Sequence, residues 1–321
     1  MNISIAMCTY NGGAYLKEQL ESIKAQTRLP DELVICDDVS SDDTVEIAER
    51  FADGCPFSVR LYVNDKNLGS TKNFEKAIGL CDGDIIALSD QDDFWLAGKL
   101  ERIENMLLSA PQTGLVFTDA EIVDERLLPM GHSLFQTVEL TEKRQELIRQ
   151  GRAFEVLLVK NIVTGATMAF RSRFRNLILP IPTAFPLIHD GWIALVIAAV
   201  ADLSFINQPL IKYRQHPHQQ MGIEPEVLFK TLINARKTDP SAYVNQAEQF
   251  GQAYERLLAN EELCRARTLM LLKAKIKHLQ ARASLPAHRL NRIPIVLKEI
   301  LNWHYARYSR GLYSAAKDIL F

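Results

Sequence analysis

Cysteine is scarce in this sequence and never paired. The five residues, at positions 8, 36, 55, 81 and 264, are an odd number with no C-x-x-C spacing. That argues against a disulfide framework or a structural zinc site and suits a reducing compartment. Long apolar runs are missing as well. The longest, Ile193 to Ala201, is nine residues, far short of the roughly 20 that a membrane-spanning helix needs. The chain opens on a strand-like run, Ile3 to Cys8, with no signal peptide ahead of it, so a cytoplasmic protein is expected. The common phosphate loops are absent too. No G-x-G-x-x-G follows the first strand and no G-x-x-x-x-G-K-[ST] occurs, which excludes the dinucleotide fingerprint and the P-loop NTPases.

What is present is ordinary in bulk and uneven in charge. The 321 residues are 47% hydrophobic and 24% charged, enough for a substantial core without covalent staples. The net charge of −2 hides two regions of opposite sign. Residues 261–321 hold 12 Lys/Arg and 4 Asp/Glu, a net of +8, which leaves 25 and 35, a net of −10, for residues 1–260. An acidic body with a basic tail implies that the two regions meet different partners.

Strand and helix patterns alternate over the first part of the chain. Buried strands are expected at Ile3 to Cys8, Leu33 to Cys36, Val59 to Val63 and Ile85 to Leu88. Helices are expected where Leu16, Leu20 and Ile23 recur, where Val45, Ala48 and Ala52 recur, over Thr71 to Cys81 and over Lys99 to Leu108. Ser40 and Ser41 are candidate N-caps, with Asp42 and Asp43 in the first turn of the second helix. This alternation predicts a mainly parallel sheet covered by helices on both faces. A further strand is expected at Leu115 to Thr118, leading to Asp119, and another at Val163 to Phe170 with a close backbone approach at Gly165. Residues 126–150 are expected to be loop and helix near an acceptor site, and Leu203 to Tyr213 an edge strand or strand pair broken at Pro209.

The most informative stretch runs from Gly83 to Trp95. A buried strand there ends in Asp90, Asp92 and Asp93, on the sheet edge where ligands of such folds bind. Three carboxylates within four residues repel one another, and either a divalent cation (Mg²⁺ or Mn²⁺) or water must relieve them. Asp190 stands just before the apolar run 193–201; it is either a helix N-cap or a general base for an attacking hydroxyl. Downstream, Arg214 is a candidate phosphate contact or a surface ion pair, and His216 and His218 are candidate metal ligands or loop residues. From Glu226 onward helices dominate. The basic, aromatic-rich end, with Trp303, Tyr305, Tyr308 and Tyr313, suits an anionic membrane surface or packs on the body or on a partner subunit. Nucleic acid is the weaker partner, since no binding motif accompanies the charge.

Taken in order, five motifs resemble inverting family 2 glycosyltransferases of the GT-A type, and within them the bacterial rhamnosyltransferases of surface-polysaccharide and O-antigen assembly. They are Thr9-Tyr10-Asn11, Asp37-Asp38 with Ser41-Asp42 and Thr44, Asn67-x-Gly69 with Asn73, Asp90-Gln91-Asp92-Asp93, and His189-Asp190-x-Trp192. The resemblance covers about residues 1–220. It implies an α/β nucleotide-sugar domain over 1–222, a Rossmann-like GT-A sheet, followed by a basic helical region over 223–321. It also implies roles. Thr9, Tyr10, Asn11, Asp38, Asn67, Gly69, Lys72, Asn73, Asp90 and Arg214 would bind the nucleotide, with Tyr10 stacked on the base, Asp38 bonded to it and Asp90 facing the ribose. Asp92, with Asp90 and His216 as further ligand candidates, would hold Mg²⁺ or Mn²⁺. Asp190 would be the catalytic base, and Asp119, His189 and Trp192 would border the acceptor. The donor would be a dTDP- or UDP-sugar, with dTDP-rhamnose as the guess. The acceptor would be a glycan or a lipid-linked sugar at the cytoplasmic membrane face.

This chain departs from the pattern in places. Val39 stands where glycine often follows the Asp pair, and His189 where Glu often precedes the catalytic Asp. The Gln-x-x-Arg-Trp motif of processive members is absent, with Tyr213-Arg214-x-His216 near its place. That favours transfer of one or a few sugars. A non-catalytic sugar-nucleotide binder or membrane scaffold on the same fold is the competing reading, and a homo-oligomer is a further expectation for the chain. A sugar-nucleotide pyrophosphorylase ranks low, because Thr9 to Leu16 carries no basic residue for a triphosphate.

Overall fold

A computed structural model describes residues 1–183, 188–217, 219 and 240–320. The expectation for His218, and the domain boundary expected at 222/223, lie outside them. Strands β1 (Ile3–Thr9), β2 (Glu32–Asp37), β3 (Ser58–Val63) and β4 (Ile85–Ser89) alternate with helices α1 (Gly13–Lys24), α2 (Thr44–Ala52) and α3 (Ser70–Leu80). A short β5 (Phe94–Trp95) precedes α4 (Lys99–Ser109) and the long β6 (Thr113–Val123). Then come β7 (Pro129–Ser133), α5 (Leu134–Thr137), α6 (Glu142–Arg149), α7 (Ala153–Leu157), β8 (Met168–Arg171), α8 (Arg175–Ile178), α9 (His189–Val200) and β9 (Asp202–Arg214). The C-terminal region is helical: α10 (Pro240–Leu258), α11 (Thr268–Ala283), α12 (Arg289–Leu301), α13 (His304–Tyr308) and α14 (Leu312–Leu320).

The strands form one sheet in the order β3-β2-β1-β4-β8-β6-β9-β5, with β7 on β6. The first four positions are all parallel, as the alternation predicts. Beyond them the sheet is mixed, because β8 runs antiparallel to both β4 and β6. Side chains divide by period two. Ala6, Ile86 and Leu88 face a core shared with α3 and α9, while Ile5, Met7, Ile85 and Ala87 face one shared with α1 and α4. Eleven residues of α9, His189 to Ala199, are buried, which is the pattern of a helix apolar all round. Phe250, Leu257, Leu272 and Leu279 extend the α9 core into α10 and α11, so these two helices pack on the body.

Three local expectations change. Ser40 and Ser41 do not cap α2, which starts two residues later at Thr44 behind Asp43; their hydroxyls are drawn to Asp37 and Asn11 instead. Gly165 to Thr167 form a 3-10 turn, and only Met168 to Arg171 is strand. Leu203 to Tyr213 is neither an edge nor broken, for β9 lies between β6 and β5 and absorbs Pro209 through a shift of register beside Asp119.

Candidate functional site

Parallel pairing sets the site. Thr9 is in register with Asp37, and Met7 with Ser89, so the loops after β1, β2 and β4 emerge together at one sheet edge. Side chains then stitch them to one another. Gln91 accepts from the Tyr10 backbone N–H at 2.8 Å and donates to its carbonyl at 3.0 Å. Asn11 bridges to Ser40 and Ser41, and Gly13 donates to Asp42 at 2.9 Å. The Tyr10 ring is left 51% exposed, on a backbone pinned from both sides, where it can present its face to a planar ligand. Thr9 is buried, its hydroxyl donating to Asp37 at 2.8 Å. Val39 has φ +67, a conformation costly for a β-branched residue and easy for glycine, which accounts for the glycine often found at that place in the resemblance.

The β2 loop corrects the expectation for Asp38. Its carboxylate accepts from the Asn64 amide and from the backbone N–H groups of Leu68 and Gly69, each at 2.8 Å, and only 3% of the residue is exposed. Asp38 therefore shapes residues 64–69 rather than reaching toward a base. Asn67 and Asn73 serve the same loop, Asn67 through the Asp38 carbonyl and Asn73 through Asn64 and the Cys36 carbonyl. Gly69 takes φ +77 before α3. Lys72 is paired with Glu75 at 2.7 Å.

The acidic loop after β4 is the electrostatic centre. Burial, and then the charges of Asp92 and Asp190, push the Asp90 carboxyl up to about 7. Burial, and then Asp92 and Asp90, also raise Asp93, and its Oδ2 is buried with no hydrogen-bond partner. Asp92 Oδ2 meets His216 Nε2 at 2.9 Å. Two cations that sequence reasoning misplaced hold this loop. Lys99, expected only as a helix start, is fully buried, donates to the Ala166 carbonyl at 2.7 Å and sits 3.4 Å over the Trp95 ring. Burial lowers its ammonium, and Asp93 and Asp90 oppose that. Arg214 is 3% exposed and engaged on all three guanidinium nitrogens, by the Asp92 carbonyl at 2.7 Å, the Glu125 carbonyl and Glu18. Arg214 thus clamps the acidic loop from beneath; the expected phosphate contact finds its donors already used.

Asp190 faces this loop from the first turn of α9, where Ile188 and not Asp190 is the N-cap. It is buried, and burial lifts its carboxyl to about 6 against the backbone N–H groups of Gly191 and Gly165, which favour the ionised form. Asn161, which sequence reasoning missed, lies 3.4 Å from Asp190 Oδ1. His189 stacks on Phe74 with ring centroids 4.2 Å apart, and burial lowers its imidazole to about 4, so it is neutral at physiological pH. A Cβ at Gly165 would stand 2.8 Å from His189 Nε2 and 3.7 Å from Asp190 Cβ. Gly165→Ala is therefore expected to cost about 1–3 kcal/mol of stability and to misplace Asp190, seen as a lower denaturant midpoint together with a fall in turnover.

Two of the residues expected at the acceptor site have their polar atoms engaged within the fold. Trp192 is 1% exposed and its indole N–H donates to the Ile178 carbonyl at 2.8 Å, so it belongs to the core. Asp119 is 7% exposed and accepts from the Ala120 and Phe135 backbone N–H groups, each at 2.8 Å, at the start of α5. An open cleft of about 430 Å³ does lie beside His216, lined by Asp124, Glu125, Arg126 and Met130. Far from it, Glu299 bridges His278 at 2.5 Å and His304 at 2.9 Å. These hydrogen bonds tie α11, α12 and α13 together.

Comparison with known proteins follows the same outline. The sequence profile of the family described as "Glycosyl transferase family 2" matches residues 4–176. A dTDP-rhamnosyl transferase of Shigella flexneri is 28% identical over 231 residues, covering 67% of this chain and 73% of its own length. An uncharacterised glycosyltransferase of Nostoc is 26% identical over 218 residues, covering 67% of this chain. The match spans 65% of that Nostoc protein and 59% of a Mycobacterium tuberculosis relative. Among solved structures, S. aureus TarS in complex with UDP-GlcNAc superposes with a TM-score of 0.55 at 16% identity, covering 99% of this chain and 88% of that one. A mannosyltransferase of Pyrobaculum calidifontis, in complex with GDP-Man and Mn²⁺, gives 0.50 at 16% identity over 95% and 75%. At these identities the likeness establishes the GT-A fold alone.

Proposed function

Because the chain belongs to glycosyl transferase family 2, we propose that it moves one sugar from a nucleoside diphosphate donor to an acceptor hydroxyl, with inversion at the anomeric carbon. The observation that carries this reading is the pairing of a buried base with an acidic loop. Asp190 is near enough to raise Asp90 electrostatically, yet it belongs to a different element. Its raised carboxyl, at about 6, is ionised at neutral pH and basic enough to accept a proton. Asp190 takes that proton as the acceptor oxygen bonds to the anomeric carbon and the bond to the diphosphate oxygen breaks. One displacement inverts the centre, so no second carboxylate nucleophile is required.

The residues present fit a divalent cation. Asp92 and His216 converge at 2.9 Å, Asp90 is near enough for the Asp92 charge to raise its carboxyl, and the buried Asp93 Oδ2 has no partner. Asp92, His216 and Asp90 would hold the ion, and a mixed oxygen and imidazole set suits Mn²⁺ better than Mg²⁺. Bound there, it supplies positive charge to the departing diphosphate. Tyr10 offers its exposed ring to the base, while Gln91 fixes that loop against the acidic one. Likeness to the Shigella dTDP-rhamnosyl transferase supports a dTDP-sugar, with rhamnose as the sugar; the acceptor in this reading is a glycan or a lipid-linked sugar. Calorimetry with thymidine, uridine and guanosine diphosphates, with and without Mn²⁺, tests it. Binding of a pyrimidine diphosphate that needs Mn²⁺ is expected, and no binding of any nucleotide would sink the reading. Metal-dependent binding without turnover on any acceptor would favour a non-catalytic binder.

A further inference from the structure

We propose that the outer face of α12, continued by Trp303, docks on an anionic lipid bilayer. Leu290, Leu297 and Leu301 recur at i, i+7 and i+11 and are 67%, 49% and 78% exposed. Pro294, also exposed, lies between them on the same stripe. The opposite face is satisfied, since Val296 and Ile300 pack with Tyr305 and Ala315 in a small core of their own. The stripe is thus apolar surface with nothing over it among the described residues, on a helix too short and polar to cross a membrane.

Trp303 strengthens the inference independently. It is 68% exposed at φ +61, a left-handed backbone that glycine takes freely and a bulky residue takes at a cost. The strain ends α12 and leaves the indole outside, where an amphipathic ring gains most at a lipid–water interface. Leu312, Tyr313 and Leu320 on α14 are also exposed, by 74%, 43% and 52%.

Charge selects the occupant. Between residues 285 and 320 the only acids are Glu299 and Asp318, and both are buried. Glu299 binds His278 and His304, and Asp318 binds Arg282 and the Tyr305 hydroxyl. Every exposed charge there is therefore basic: Arg289, Lys298, Arg307 and Arg310. Arg310 is paired with Glu139 at 3.4 Å, but on α12 itself the exposed charges, Arg289 and Lys298, are both basic, and an apolar stripe beside such cations matches acidic headgroups over acyl chains. A second copy meeting it face to face would set cation against cation, which is unfavourable.

Trp95 and Trp192 are each 1% exposed, so Trp303 is the exposed one of the three tryptophans and the natural reporter. The test uses the full chain with phosphatidylcholine vesicles, with or without phosphatidylglycerol, and no nucleotide, so its result is separate from that of the proposed reaction. Co-sedimentation with the anionic vesicles only is expected, with a blue shift of tryptophan emission and release at high salt. The double variant Leu297→Ser, Leu301→Ser is expected to lower partitioning at least tenfold while its circular dichroism and nucleotide binding stay unchanged. Equal partitioning of that variant, or no vesicle binding by the wild type, overturns the proposal. So does a wild-type dimer in velocity sedimentation that the same substitutions dissociate, which would assign the face to a second copy.

Discussion

Asp190→Asn is expected to lower kcat by about 10²–10⁴-fold and to leave nucleoside diphosphate affinity unchanged. Asparagine keeps an oxygen to accept from the Gly191 and Gly165 backbone N–H groups that flank the carboxylate, but it cannot take a proton. The pH profile sharpens the case. Burial raises the folded-state carboxyl from 3.8 to about 6, so the basic form is lost as pH falls through about 6. Turnover of the wild type is expected to drop about tenfold for each unit below that and to level off above it. Stability carries the opposite sign. A carboxyl whose folded pKa is raised favours the fold while protonated, and that advantage is lost as pH rises above its unfolded value. The asparagine variant, with no charge to bury, should unfold at the same or a higher denaturant concentration at neutral pH. A variant that loses activity and stability together would mark Asp190 as structural.

The sequence reveals the scaffold better than the roles assigned to it. β1, β2 and β4 were legible because each is a short apolar run closed by polar residues, and their parallel order follows from the helices between them. The meeting of the loops after β1, β2 and β4 at one sheet edge followed too, since Asp37 and Asp90 mark strand ends. What failed were assignments that depend on where a side chain points. Asp38, Asn73, Asp119 and Arg214 share a motif or a neighbourhood with functional residues, yet their polar atoms are engaged by backbone and side-chain groups of the fold itself. Nothing in residue type separates a carboxylate that shapes a loop from one that meets a ligand; only the long-range partners do. Trp192 was misplaced because α9 is buried on every side, which a helix start beside a catalytic Asp conceals. Lys99 and Gln91 were missed for the opposite reason. A lysine at a helix start looks solvated, but the sheet edge turns it under the acids. A glutamine between aspartates looks like a spacer, yet it joins two loops 81 residues apart.

Asp92→Ala is expected to weaken Mn²⁺-dependent nucleoside diphosphate binding by at least about 100-fold, roughly 2.7 kcal/mol. The cause is crowding. Asp90, Asp92 and Asp93 occupy four residues, Asp93 is buried and Asp90 half-buried, and the nearest buried cations, Lys99 and Arg214, are committed to the Ala166 carbonyl and to the Asp92 and Glu125 carbonyls. Lys99 cannot turn toward a diphosphate without leaving the buried Ala166 carbonyl unpaired, nor Arg214 without giving up its bonds to the Asp92 and Glu125 carbonyls and to Glu18. Charge on the ligand must then be met from the open side of the loop, where Asp92 and His216 stand together. Chelation and mutation should accordingly converge. Wild type with EDTA and Asp92→Ala with Mn²⁺ are expected to bind nucleotide equally weakly, and EDTA should have no further effect on the variant. With Mn²⁺ present, His216→Ala is expected to fall between wild type and Asp92→Ala, since it removes one ligand and leaves both carboxylates. An Asp92→Ala protein that still responds to Mn²⁺ would move the ion elsewhere on the loop. A wild type indifferent to EDTA would leave the diphosphate to be held by backbone N–H groups and Tyr10 alone, and the acidic loop would then be a structural element clamped by Arg214.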